Sequence, residues 1–179
     1  MNNPFIIGEE IYLRPLEKSD LTREYLSWIN DSEVTRYMET GTFPTNMENL
    51  EEYYRTMTSS PNHVILAIVN KKPDKHIGNI ALNNINWVNR VANLGIMIGE
   101  KKHWGKGCGT EAVKLMVNYA FWKLNLHKVW VGVDEENTSA YHIYKVVGFV
   151  DEGCLKNELY RDGKYYWKII MGIVREEKQ

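Results

Sequence analysis

The alternation of apolar and polar side chains predicts that strands open and close the chain. From Phe5 to Leu16 the pattern places Ile11 and Leu13 on one face and Tyr12 on the other, which is typical of a strand. Runs rich in Val and Ile, bounded by turn residues, predict the other strands. These cover His63–Val69, Ile77–Ile85, Val91–Ile98, Val129–Val133, Phe149–Leu159 and Tyr165–Ile173.

Between these strands, apolar residues recur every three to four positions and predict helices. The first helix follows the capping residues Ser19 and Asp20 and ends near Ile29. A second, short helix follows Asn30-Asp31-Ser32 and ends near Met38. Further helices are expected from Thr45 or Asn46 to about Met57, over Thr110–Leu124 and over Ser139–Val146. Strands first and last, with helices inserted, indicate an α+β (mixed α/β) fold with a largely antiparallel sheet.

Composition narrows the classes of function. The 179 residues include 22 Lys and Arg and 23 Asp and Glu, a net charge of −1, which argues against a nucleic-acid partner. The length, without a linker rich in Pro, Gly or Ser, predicts a single domain over residues 1–179. No apolar run is long enough to cross a membrane and the first residues lack a signal-peptide pattern, so a cytoplasmic protein without membrane contact is expected. Cys108 and Cys154 have no partners at zinc-ligand spacing, so no metal is predicted.

A glycine-rich segment between a predicted strand and a predicted helix carries the first candidate chemistry. In His103-Trp104-Gly105-Lys106-Gly107-Cys108-Gly109-Thr110, glycines stand at alternate positions. Glycine lets the backbone turn tightly and bring bare N–H groups near a ligand, and the positive end of the following helix favours an anion. The segment therefore predicts a phosphate or pyrophosphate site, with a tight turn that only needs glycines as the alternative.

The segment Asn137–Phe149 follows the next predicted strand and forms a second candidate site. Asn137 is suited to cap a helix, and Tyr144 lies nearly two helical turns further on the same side. Gly148 suits the left-handed residue that ends a helix. A core aromatic and a simple cap are the structural alternatives for Tyr144 and Asn137.

These motifs in this order, a Gly-Lys-Gly-x-Gly turn and then Asn-x-x-Ala-x-x-x-Tyr-x-x-x-Gly-Phe, resemble the GNAT acyltransferases. The resemblance is strongest over Ile77–Phe149. It implies a central, mostly antiparallel sheet that is splayed at its middle and flanked by helices. It also implies transfer of an acetyl group from acetyl-CoA to an amine. The opening, Tyr12-Leu13-Arg14-Pro15-Leu16 followed by Trp28–Val34, is similar to the RimJ/RimL-like branch.

The resemblance assigns part of the chain to the acetyl-CoA donor. In the family, backbone N–H groups of the glycine turn hold the pyrophosphate, and the strand before the turn pairs with the pantetheine arm. The residues so assigned are Ile96, Met97, Ile98, Trp104, Gly105, Lys106, Gly107, Cys108, Gly109, Thr110, Asn137 and Tyr144. The family usually has Gln or Arg where this chain has Trp104, so the backbone carries the expected contact there.

The resemblance gives Tyr144 the role of catalytic acid. Attack of an amine on a thioester creates an oxyanion and then expels a thiolate, so a phenol that protonates the sulfur assists the reaction. A backbone N–H at Met97 or Ile98 is expected to stabilise the oxyanion. The candidate bases for the amine are Glu33, Glu100, Glu111 and Asp134, none of which lies in a decisive motif.

The acceptor amine is expected to meet the region before the donor motifs, where aromatic and acidic residues are frequent. The candidates are Trp28, Asn30, Glu33, Tyr37 and Trp87, with core residues on amphipathic helices as the alternative for Trp28 and Tyr37. A small-molecule amine of the amino-sugar or polyamine type is favoured, with the N-terminal amine of a ribosomal protein as the alternative. An acetyl-CoA-binding sensor and a nucleotide-binding module are the non-enzymatic alternatives. The aromatic strand Tyr165–Lys168 would support a homodimer if it is exposed.

Overall fold

The computed structural model describes residues 1–176, whose strands form one eight-stranded sheet. The strands are β1 (Ile6–Ile7), β2 (Ile11–Pro15), β3 (Val64–Asn70), β4 (Lys75–Asn86), β5 (Val91–Ile98), β6 (Lys128–Asp134), β7 (Val150–Arg161) and β8 (Lys164–Val174). They lie in the order β1-β2-β3-β4-β5-β6-β8-β7. Within residues 1–176, β5 and β6 pair in parallel and the other neighbours are antiparallel. The predicted α+β fold with a mostly antiparallel sheet is confirmed.

The helices flank this sheet. They are α1 (Arg23–Ile29), α2 (Met47–Ser59), α3 (Cys108–Trp122) and α4 (Thr138–Val147). Asn46 caps α2 as predicted, accepting the Asn49 N–H at 2.9 Å. Thr22 caps α1 in place of the predicted Ser19 and Asp20, because the Asp20 carboxylate is held by Arg14 at 2.6 Å.

Two local predictions were wrong. The short helix expected after Asn30 is a series of turns, because the Asp31 carboxylate accepts the N–H groups of Glu33 and Val34 and so favours a turn over a helix. The opening strand is divided into β1 and β2 by a turn that Gly8 starts, where its N–H donates to the Ile11 carbonyl at 3.0 Å. The two pieces then pair with each other.

The sheet is splayed between β5 and β6. These strands pair only over Val91–Asn93 and Lys128–Trp130. Further along, β5 stays paired with β4 up to Ile98, and β6 stays paired with β8 up to Asp134. The two strands therefore diverge in the middle of the sheet, as predicted, and open a slot beside the second half of β5.

Apolar side chains fill both faces of the sheet. Ala112, Met116 and Ala120 of α3 are fully buried in the cluster that covers one face, and Tyr25 of α1 and Leu50 of α2 belong to a cluster near the other. None of the helices described is long and apolar enough to span a membrane. Residues 1–176 also contain no cluster of three or more side chains able to hold a metal ion.

Candidate active site

The glycine-rich turn has the shape that an anion site needs. Gly105 and Gly107 have φ angles of +69° and +82°, in the left-handed region that favours glycine. A Cβ atom added at either position would meet nothing within 4 Å, so the backbone conformation and not crowding requires glycine. Gly107 is the cap of α3, which begins at Cys108, two residues earlier than predicted. The first N–H groups of α3 have no partner within the helix, as at the start of any helix.

The side chains of this turn differ in their surroundings. Lys106 is exposed, whereas Cys108 is buried and burial raises the pKa of its thiol, so Cys108 has the character of a packing residue and not of a nucleophile. Gly109 lies close to α4, because an added Cβ would be 3.1 Å from the side chain of Ile143. This contact fixes α3 and α4 against each other beside the turn.

Trp104 connects the turn to the end of β5. Its indole N–H donates to the Ile98 carbonyl at 2.8 Å. The Gly99 N–H donates to the Ile77 carbonyl of β4 at 2.9 Å. Backbone groups alternate in direction along an antiparallel strand, so the N–H of Met97 also points toward β4, whereas the N–H of Ile98 points toward the slot. Ile96 shares the orientation of Ile98. Of the two predicted oxyanion donors, Ile98 is thus the one whose N–H faces the slot.

Asn137 and Tyr144 lie on α4, which follows β6 on the other side of the slot. The Asn137 side chain caps α4 as predicted, accepting the Ala140 N–H at 3.1 Å. Tyr144 is 6% exposed and packs against Phe149 with ring centroids 5.3 Å apart. Burial raises the pKa of Tyr144 to about 12. Its hydroxyl has no hydrogen-bond partner among the described residues, so a protonated phenol remains for a ligand.

A cavity of about 400 Å³ lies between α1 and α2 on one side and β4 and β5 on the other. Gly95, Ile96 and Met97 form part of its wall, so it adjoins the half of β5 that borders the slot. Its polar lining residues are Tyr25, Thr40, Thr45, Asn49, Tyr53, Asn79 and Asn83. This position is suited to an acceptor that approaches a thioester lying along β5.

The predicted acceptor residues do not lie on the wall of this cavity. Trp28 is 6% exposed and packs against Gly99, where an added Cβ would be 2.1 Å from the indole. Asn30 exchanges two hydrogen bonds with the backbone of Thr45, at 2.8 and 2.9 Å, and so holds the loop. Both side chains have structural roles, and their contact with an acceptor stays a prediction.

The other three predicted acceptor residues are also engaged elsewhere. Glu33 is exposed and paired with Lys101 at 2.5 Å. Tyr37 lies 4.8 Å from the Arg161 guanidinium. Trp87 lies at the far end of β4, beyond its last residue, with its indole N–H 3.3 Å from a backbone carbonyl. These three side chains therefore do not border the cavity beside β5, and their contact with an acceptor stays a prediction.

Each of the four candidate bases is engaged by a cation or by backbone N–H groups, and none lines the cavity. The partners are Lys101 for Glu33, Lys75 for Glu100, Arg161 for Asp134 and the Glu9 and Glu10 amides for Glu111. Sequence reasoning named Ile96 and Met97 but missed the polar residues that line the cavity. Asn79 and Asn83 gave a signal, as polar residues four positions apart that share one face of β4 with Ala81.

Comparison with known proteins agrees with this arrangement. Residues 10–150 match the family model of the acetyltransferase (GNAT) domain. Spermidine N(1)-acetyltransferase of Escherichia coli K12 is 34% identical over 172 residues, covering 95% of this chain and 89% of that protein. The Vibrio cholerae enzyme of the same name is 31% identical over 159 residues, covering 89% of this chain and 90% of that protein.

The fold is also that of a solved acetyltransferase. The crystal structure of a Vibrio cholerae spermidine N-acetyltransferase with CoA and spermine superposes with a TM-score of 0.85 at 30% identity, covering 93% of this chain and 96% of that one. The family match covers residues 10–150, and the two relatives are 34% and 31% identical to this chain. This protein therefore belongs to the GNAT acetyltransferase family and is an acetyl-CoA-dependent N-acetyltransferase.

Proposed function

We propose that this enzyme acetylates the primary amine of a small molecule bound in the cavity beside β5. The observation that carries the proposal is the position of this cavity, which adjoins the part of β5 that borders the slot. A cavity of about 400 Å³ suits a small molecule and not a folded protein surface.

The donor side is supported by the backbone of the slot. The left-handed glycines and the first N–H groups of α3 would hold the pyrophosphate, with Lys106 able to add a charge from the surface. Backbone groups of Ile96 and Ile98 that point away from β4 would pair with the amide-bearing pantetheine arm. Asn137 would contact the donor through the side-chain NH2 group that its capping role leaves over.

Tyr144 is the proposed catalytic acid. The amine nitrogen bonds to the thioester carbon, the Ile98 N–H supports the oxyanion, and the carbon–sulfur bond then breaks. The departing thiolate takes the proton of the Tyr144 hydroxyl, which a pKa of about 12 keeps loaded at neutral pH. Since no carboxylate of the described residues lines the cavity, we assign removal of the amine proton to water.

Two classes of acceptor fit this proposal. The relatives named spermidine N-acetyltransferase favour a polyamine. The hydroxyl and amide groups on the cavity wall favour an amino-sugar. The similarity to the RimJ/RimL-like branch, with a protein N-terminus as acceptor, stays a prediction that the small cavity does not favour.

The test is release of free thiol from acetyl-CoA, with the acetylated product identified by mass spectrometry. The amines are polyamines, amino-sugars, aminoglycosides and short peptides with free N-termini. Turnover with a small amine and none with the peptides is expected. Turnover with peptides alone would contradict the small-molecule acceptor. Tight binding of acetyl-CoA without release for any amine would favour a sensor.

We also propose a cellular location and an oligomeric state for this protein. Both cysteines of the described chain are free thiols, and acetyl-CoA is an intracellular metabolite, which favours the cytoplasm. Tyr165 and Trp167 of β8 are 65% and 41% exposed, and this apolar surface supports a homodimer. A monomeric mass by light scattering at micromolar concentration would count against the dimer.

A further inference from the structure

The wall of the acceptor cavity carries amide and hydroxyl groups and, among the residues described, no charged side chain. Asn79, Ala81 and Asn83 occupy alternate positions of β4, so their side chains share one face of the sheet, and all three line the cavity. Gly95 lies opposite Ala81 across the ladder, and these two small residues leave room between the amides. A ligand here meets hydrogen-bonding groups without formal charge.

The side-chain amide of Asn79 has an unused donor. Asn79 is 6% exposed, and its Nδ2 has no hydrogen-bond partner among the described residues. Its Oδ1 lies 3.0 Å from Nε2 of His76, which is also 2.9 Å from the Gly78 carbonyl oxygen. A carbonyl oxygen only accepts, so Nε2 carries a hydrogen and the Asn79 atom that faces it must be the oxygen. The NH2 group of Asn79 is therefore the unpaired end of the amide, and it is buried in the wall of the cavity.

His76 holds this orientation because its own ring is fixed. The rings of Tyr25 and Trp28 pack edge-on against it, with centroids 5.8 and 5.3 Å away. Its Nδ1, which then carries no hydrogen, lies 3.9 Å from the Asp20 carboxylate and makes no hydrogen bond to it. Burial lowers the pKa of His76, so the ring is neutral at pH 7. His76 thus acts as a positioning residue for Asn79.

An unpaired buried N–H favours a ligand that brings an acceptor oxygen. The protonated amines of a polyamine donate hydrogen bonds and accept none, and the one neutral nitrogen uses its lone pair to attack the thioester. A polyamine therefore leaves the Asn79 NH2 group unpaired during the reaction. Hydroxyl and ring oxygens of an amino-sugar can accept this bond while its hydroxyl protons bond to nearby oxygens. Resting on the acetyl transfer proposed above, we infer that Asn79, positioned by His76, selects an acceptor of the amino-sugar class over a polyamine.

The first test compares kcat/KM for free hexosamines and sugar-nucleotide amino-sugars with kcat/KM for spermidine and spermine, in the full-length protein. At least one amino-sugar is expected to exceed both polyamines by tenfold or more. A preference for spermidine or spermine over every amino-sugar would overturn this inference and leave acetyl transfer to a small amine intact. Absence of turnover with every amine, despite acetyl-CoA binding, would overturn both.

Charge variants test the residue directly. Asn79→Asp replaces the donor by a carboxylate, so kcat/KM for the amino-sugar is expected to fall and that for spermidine to rise, each by on the order of ten- to hundredfold. Asn83→Asp adds the same charge to the cavity without touching His76 and keeps the spermidine test available if Asn79→Asp does not fold. The affinity for acetyl-CoA should stay unchanged in both.

Asn86→Asp is the matched control. It makes the same change on the same strand at an exposed position outside the cavity. It also keeps the Oδ1 that accepts the Val88 and Asn89 N–H groups. The role of Asn79 would be overturned if Asn86→Asp changed the preference between amino-sugar and spermidine equally. It would also be overturned if neither Asn79→Asp nor Asn83→Asp changed that preference.

Discussion

Replacing Tyr144 by phenylalanine removes one hydroxyl from the centre of the proposed reaction. The side chain is 6% exposed, and its ring packs against Phe149 in a contact that phenylalanine preserves. Since the hydroxyl has no hydrogen-bond partner among the described residues, its removal leaves no group unpaired. The free energy of unfolding is therefore expected to change by less than about 1 kcal/mol.

The effect on turnover should be far larger. With a pKa of about 12, the phenol is ionised in only about one molecule in 10⁵ at pH 7, so the proton is available in nearly every enzyme molecule. General acid catalysis contributes roughly 10²–10⁴-fold, so kcat should fall at least about a hundredfold, equivalent to about 3 kcal/mol of barrier. Because this pKa is raised, the acid form persists as the pH rises, and Tyr144 should cause no loss of kcat between pH 7 and pH 10.

The assay is thiol release at saturating acetyl-CoA and amine, together with the dissociation constant of acetyl-CoA. Tyr141→Phe is the control, because it removes another hydroxyl from α4, one that donates to Asp151 at 2.9 Å away from the slot. We expect Tyr141→Phe to keep wild-type turnover and both variants to keep wild-type donor affinity. A Tyr144→Phe enzyme whose kcat stays within threefold of wild type would refute the acid role.

Two further sites give predictions. Gly107→Ala and Gly163→Ala both place alanine at a φ of +82° in open space, so both should lose about 1–2 kcal/mol of stability. Only Gly107→Ala should weaken acetyl-CoA binding, severalfold when the affinity is measured by calorimetry. An equal loss of affinity in Gly163→Ala would show that the glycine turn is not part of the donor site. Burial alone would raise the pKa of Asp20, but hydrogen bonds from Arg14 and a backbone N–H outweigh it and hold this pKa below its usual value. This stabilisation is complete above about pH 4 and is lost as the pH falls through the lowered pKa. In urea unfolding, Arg14→Met should therefore cost about 3–5 kcal/mol at pH 7 and progressively less toward pH 2, and a constant difference would count against the pair.

The conformations of the glycine turn and of the α4 cap, which we propose to hold the donor, could be predicted from the sequence because they depend on the local backbone. Gly148 adopts the left-handed conformation that its position indicated, Gly107 lies in the tight turn that the glycines predicted, and Asn137 caps α4 as its residue type favours. These are local effects, set by a few neighbouring residues. The divergence of β5 and β6 is not local, and it followed from the family resemblance and not from periodicity.

The side chains that line the cavity beside β5 could not be predicted in the same way, because tertiary packing decides which side chains border a cavity. Trp28 and Tyr37 have the character of ligand-binding aromatics, yet one packs on Gly99 and the other on Arg161. The short helix expected after Asn30 failed because an Asp31 side chain competed with the helical backbone. Asn79 was overlooked because the sequence does not show which elements pack over its face of β4.

This difference between the proposed donor site and the cavity beside β5 also limits what can be inferred about the acceptor from the similarity to spermidine N-acetyltransferases. A donor site built from N–H groups accepts the same donor whatever its side chains are, so family membership carries acetyl-CoA chemistry to this chain. An acceptor site built from side chains can change its ligand by a few substitutions on one strand. A trication that leaves water for a cavity needs opposite charges there, because the desolvation of each ammonium group is otherwise uncompensated. Since Asn79 and Asn83 stand where such charges would act, the lining of the cavity supports the proposed amino-sugar, whose hydroxyl groups need no opposite charge.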